Sequence, residues 1–137
     1  MSLILKAPVE TERIYLDGKA GSPEESRTWI DLRPLSFEQR RVAEAEARAQ
    51  IAELREAQKL DDLSGPEIAG IAAMASLRAL ARRAICGWNG IVDPDTGAPV
   101  EVTPEAIDTL MQFEQVAVPF LAHVDARMDV WVSEGNG

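Results

Sequence analysis

IAGIAAMASLRALARRAIC, residues Ile68–Cys86, is the stretch that decides the fold class. It contains no Pro and a single Gly, and it is apolar almost all round until Arg78, Arg82 and Arg83. A run of this length and composition reads as a helix that is central in its domain or covered by a second subunit. The preceding DDLSGP breaks the chain. Ser64 and Glu67 have the spacing of a capping box, and Pro66 is allowed in a first helical turn. The expected helix therefore runs from about Gly65 to Cys86. Its last turns carry the arginines, where cations favour the helix dipole, and Gly87 is the expected C-terminal cap.

Upstream, FEQRRVAEAEARAQIAELREAQKL (Phe37–Leu60) is rich in Ala and Glu and free of Gly and Pro, so its helix propensity is high. Ser36 and Gln39 repeat the capping-box spacing. Ala43, Ala47, Ile51 and Leu54 form one apolar stripe, and its small Ala side chains allow a neighbouring helix to come close. Glu44 and Arg48 are expected to pair at i,i+4, and the other charges to face solvent.

Downstream, Ile91-Val92 and Val100-Glu101-Val102 are short extended runs separated by DPDTGAP. There Asp93 starts a turn and Gly97 supplies a positive φ. The expectation is a small β-ribbon or turn pair. Thr103 caps a third helix with Pro104 at its first position, and Ile107, Leu110, Met111 and Glu114 mark its change of face. A fourth helix is expected from about Pro119. Ala117, Leu121, Val124, Met128 and Trp131 form its stripe, and SEGNG is the tail. At the other end, Arg13–Leu16 and Thr28–Leu32 lean towards β-structure around DGKAGSPEES, which reads as a hairpin with a long loop.

The fold class is therefore mainly α with a minor β part: about four helices, an N-terminal β-hairpin, and a β-ribbon between helices two and three. Residues 1–35 form the strand segment and 36–137 the helical part of one compact domain, as 137 residues allow.

Composition narrows the function. The net charge of −9 disfavours a nucleic-acid ligand, since phosphate binding relies on Lys and Arg. One cysteine, Cys86, permits no intrachain disulfide, which suits a reducing compartment. The N-terminal MSLILKAPVETER matches neither a signal peptide nor a membrane span, so the expectation is a soluble intracellular protein with no membrane partner.

The chemical readings fail one by one. DPDTG resembles the start of a calcium loop, but Gly97 is fifth rather than sixth, and the twelfth position is Pro104 rather than Glu. Cys86 and His123, the only histidine, lack an orienting third group, and Cys86 reads better as a small buried hydrophobe. One Cys and one His make no zinc site of that type. Glu24-Glu25 and Asp61-Asp62 read as solubilising loop charges, and no Gly-rich run leads into Lys-Ser or Lys-Thr. No catalytic, metal or cofactor residue is expected. Of the three tryptophans, Trp29 and Trp131 read as core anchors. Trp88, between Gly87 and Gly90, suits either a core plug or a protein-contact anchor.

RRAICGWNGIVDPDTGAPVEVTPEAIDTL, Arg82–Leu110, resembles the signature of bacteriophage tail assembly chaperones. In that family a helix ends in a Trp-Gly-like pair, followed by an acidic Gly-containing turn, a Thr-Pro-Glu-like helix start and a helix with Leu near its end. Ile85, Trp88, Ile91, Val92, Gly97, Pro99, Thr103, Pro104, Ile107 and Leu110 carry the match. WIDLRPLSFEQRRVAEAEA also resembles the family's layout, where a strand leads into a long charged helix. The rich first loop and the added Gly90 depart from it.

The resemblance implies a small, helical, often oligomeric, non-enzymatic protein. It would bind the tape measure protein, keep it soluble and help recruit tail tube subunits, acting in the host cytoplasm and leaving before the virion is finished. Trp88, Ile91, Val92, Leu110 and Phe113 are the candidate partner contacts. The alternative is a structural tail or head–tail completion component that stays in the particle.

Overall fold

The computed structural model describes residues 10–17 and 22–134, with residues 127–134 as backbone alone. Strand β1 (Glu12–Tyr15) pairs antiparallel with β2 (Trp29–Leu32), joined through a short 3-10 turn at Glu24–Ser26. Helix α1 (Phe37–Glu56) and helix α2 (Gly65–Ala84) follow as a packed pair. Strand β3 (Ile85–Asn89) returns to the far side of β2, completing a three-stranded sheet in the order β1-β2-β3. Helices α3 (Pro104–Leu110) and α4 (Glu114–Glu134) end the described chain. The fold is mainly α, with the N-terminal hairpin built into the core sheet.

Both capping boxes form. Ser36 Oγ accepts from the Gln39 N–H at 3.1 Å while the Ser36 N–H donates to Gln39 Oε1 at 2.8 Å. Ser64 and Glu67 exchange the same pair of bonds. Thr103 Oγ1 accepts from the Ala106 N–H. These local devices lie on the chain itself and need no tertiary partner. Along α1, Ala43 and Ala47 are buried and Ile51 and Leu54 are half-buried, so the stripe faces α2. Glu44 pairs with Arg41 rather than with Arg48.

Helix α1 stops at Glu56, short of the expected Leu60. Gln58 adopts φ 58, and the Gln58 and Lys59 N–H groups donate back to Arg55 O and Leu54 O. This is a Schellman ending with glutamine where glycine is usual.

Helix α2 ends at Ala84, not Cys86, and Gly87 does not cap it. The reason is tertiary: Ile85 turns extended to pair with β2, and the Arg33 N–H donates to Ala84 O at 2.8 Å, so the sheet itself satisfies the helix end. The register shifts there. Asp31 faces Gly87 and Leu32 faces Ile85, leaving Cys86 as the bulged residue. Cys86 is therefore exposed, against the expectation of a buried small hydrophobe, and its thiol donates to Asp31 O at 3.5 Å.

Helix α4 begins at Glu114, five residues before the expected start, and carries Pro119 inside. Proline there removes one i→i−4 bond. Burial of Val116, Phe120 and Val124 on the same face offsets that loss. Phe120 is fully buried, whereas Leu121, placed on the inner stripe by the sequence pattern, is 39% exposed. The side chains of Met128 and Trp131 lie outside the described residues, and the helix continues to Glu134, into the expected tail.

The core is shared. The sheet contributes Ile30, Leu32 and Ile85; α2 contributes Leu77, Ala81 and Ala84; α3 and its end contribute Ile107, Leu110 and Met111. Val116, Phe120 and Val124 of α4 close it. An Arg82 Nε–Asp108 Oδ1 bond of 2.7 Å joins α2 to α3, and Arg83 pairs with Glu46 to join α2 to α1. The buried cluster takes nothing from α1, and α2 meets it only from Met74 onward. The first half of α2 and the second half of α1 therefore pack chiefly on each other, beyond the core.

Candidate protein-contact surfaces

The ribbon after β3 is built as its turn chemistry requires. Asp93 Oδ1 accepts from the Asp95 and Thr96 N–H groups at 2.8 and 3.0 Å, and Gly97 has φ +71. Those two bonds hold the Asp93 carboxyl below the usual Asp range. Val92 bridges Pro99, and the Val100 N–H donates to Ile91 O. Gly90, φ +82, brings the ribbon off β3 so close to Thr28 that a Cβ would sit 2.6 Å from Thr28 Oγ1. Both the backbone conformation and the contact demand glycine.

The five candidate contact residues separate on this frame. Trp88 is half-buried against the core, and its indole N–H donates to Val100 O at 2.8 Å, fastening the ribbon to the sheet. Ile91 packs beside it on the core. Leu110 is buried in the core and is not available to a partner, a correction that follows from the α2–α3 packing. Val92 and Phe113, each 52% exposed, remain outward. Trp88 is thus half-buried and tied to the ribbon, and Val92 and Phe113 are the two of the five that are more than half exposed.

On the outer face of the sheet, Arg13 stacks over Trp29 at 3.4 Å and Arg27 over Tyr15 at 3.7 Å. Arg13 also makes bonds of 2.7 and 3.0 Å to the two Asp31 oxygens and one of 2.6 Å to Glu24. Asp31, then Glu24, raise the Arg13 pKa. The Tyr15 hydroxyl donates to Glu24. That bond, ahead of Arg13, holds the Glu24 carboxyl low and pushes the Tyr15 phenol up. Sequence reading took Glu24 for a solvated loop charge; here it ties the 3-10 turn onto β1. No local pattern signals this, because its partners are nine and eleven residues upstream across a loop.

Two apolar grooves flank the α1–α2 pair. One is lined by Ala47, Ile51, Ala52, Ala72 and Ser76 together with Arg48 and Arg55. The other lies along Leu63, Ile71 and Met74, with Arg78 beside them. A smaller pocket where β2 leads into α1 has Leu32, Leu35 and Val124 as its apolar wall and Arg33, Arg40 and the Glu12–His123 pair around it.

Among the described residues no group of three or more His, Cys, Asp or Glu is placed to hold a metal ion, and no helix is long and apolar enough to cross a membrane. Cys86 bulges from the sheet beside Asp31, and His123 pairs with Glu12 on the side of β1. Comparison of the chain with protein-family models, with curated proteins and with solved structures returned no match.

Proposed function

We propose that this chain is a non-enzymatic bacteriophage tail assembly chaperone. It binds the tape measure protein through helix-face contacts, keeps it dispersed, helps recruit tail tube subunits in the host cytoplasm, and leaves before the particle is complete. The observation that carries this reading is the α1–α2 pair. It reaches beyond the buried cluster with Ile51, Leu54, Ile68 and Ile71 half-exposed along it. Apolar residues at helical spacing on helix faces that the core covers only in part suit helix-in-groove recognition. The net charge of −9 supports dispersion of a loaded complex. The resemblance across Arg82–Leu110 supplies the biological setting.

Co-expression with the long, Ala-rich helical protein encoded in the same gene cluster tests the proposal. A soluble, co-purifying pair is expected. An insoluble client with no complex captured refutes it. Mass spectrometry of purified particles separates the alternative: a chaperone is missing from them, and a completion component is retained.

A further inference from the structure

Among the described residues of this acidic protein, Arg33, Arg40, Arg48, Arg55 and Arg78 form no ion pair. Arg13, Arg41, Arg82 and Arg83 each pair with a carboxylate. Of the unpaired arginines, Arg48 and Arg55 both line the same groove between α1 and α2. They are seven residues apart on α1, two helical turns or about 10 Å, with Ile51 between them. The groove encloses about 410 Å³, and its walls are mostly small side chains: Ala47, Ala52, Ala72 and Ser76. Small residues let a third helix axis lie close to α1 and α2.

We infer that this groove is the client-binding face, and that its occupant is an amphipathic helix. That helix carries an Ala- or Leu-rich stripe, with Asp or Glu side chains two turns apart that meet Arg48 and Arg55. The inference rests on the proposed chaperone role and names the surface and client chemistry for it. Charge complementarity selects the occupant. Two unpaired arginines lining a mostly apolar groove attract carboxylates and impose register on a helix that apolar contacts alone would leave free to slide. A second copy of this chain is a poor occupant. In a two-fold contact the same patch meets itself, so Arg48 and Arg55 would face the partner's arginines. Like charges so placed are disfavoured.

Two synthetic helical peptides with an identical Ala/Leu stripe provide the direct test, one bearing Glu at the two positions seven apart and the other Lys. Binding is measured by fluorescence anisotropy at low and high salt. The Glu peptide is expected to bind at least about tenfold more tightly than the Lys peptide, with the gap narrowing in salt, and R48E/R55E should reverse the order. The variant R33E/K59E carries the same change of net charge elsewhere on exposed positions and should keep the wild-type order. Equal binding of both peptides, or of neither, overturns the groove assignment. Circular dichroism checks that each variant is folded.

The tape measure co-expression separates the two levels. Capture by wild type that R48E/R55E leaves intact overturns the groove while the chaperone role stands. No capture by wild type, alongside the expected peptide preference, removes the chaperone role and leaves the groove. A concentration-dependent dimer abolished by R48E/R55E would overturn the acidic-helix occupant in favour of a second copy.

Discussion

Replacing Phe120 by Ala should remove a large share of the protein's stability, while the same truncation one residue later should not. Phe120 is fully buried in the cluster it shares with residues of the sheet, α2 and α3, and Leu121 is 39% exposed. Truncating a buried Phe to Ala costs about 3–5 kcal/mol, from lost transfer energy and the cavity left behind. A chain of 137 residues has a total stability of roughly 7–20 kcal/mol on general scaling. F120A should therefore still fold, with a margin cut to about 2 kcal/mol at the low end of that range. Leu121 already shows much of its side chain to water, so L121A should cost below about 1 kcal/mol. For this length each kcal/mol moves the melting temperature by about 3–4 °C. The expected drop is then about 10 °C or more for F120A, against a few degrees at most for L121A. Urea unfolding followed by circular dichroism reads both. If F120A proves unfolded, F120L keeps most of the volume and should cost about 1 kcal/mol. Equal losses for F120A and L121A would mean that α4 is rotated by about one residue from the orientation described, and the argument for its core face would fall.

Three further outcomes follow from the backbone and the turns. G90A should destabilise by about 2 kcal/mol or more, because the left-handed φ and the Thr28 contact both oppose a Cβ; a melting temperature equal to wild type would contradict this geometry. Q58G should raise stability by about 0.5–1 kcal/mol by relieving a non-glycine left-handed residue, while A49G in the exposed middle of the same helix should lower it by about 1 kcal/mol. Thermal melts with the same sign for both would rule out the Schellman ending. Asp93 should titrate below the ordinary Asp range by NMR. A lowered folded pKa means its contribution is complete above the unfolded value, about 4, and is lost as pH falls through the lower folded value. D93N should therefore flatten stability in that acid window, and an ordinary Asp93 titration would refute the turn's bonding.

The legible part of this protein is local. The helix starts at Ser36, Ser64 and Thr103 could be read directly, because a cap acts within three residues of itself. So could the Asp93–Gly97 turn and the two strands of the hairpin, whose signals are side-chain shape and backbone freedom. Of the candidate contact residues, Val92 and Phe113 are exposed. Leu110 is not, since one apolar residue on a short helix gives no sign of which neighbour will cover it. Arg48 and Arg55 read as ordinary solvated charge until the groove beside them could be seen.

Every departure traces to a partner distant in sequence. Helix α2 yields two residues to a strand because β2, more than fifty residues earlier, offers Ile85–Asn89 a row of backbone partners, and the bulge that fits them together turns Cys86 outward. Pro119 stays inside α4 because burial at Val116, Phe120 and Val124 outweighs one missing bond. Glu24 becomes a tie rather than a loose charge because the hairpin folds it back over Arg13 and Tyr15. Short-range periodicity and capping establish which segments are helical or extended. Where those segments stop, and which side of each is covered, depends on long-range pairing and burial, whose energies exceed the propensities written into any short window of residues.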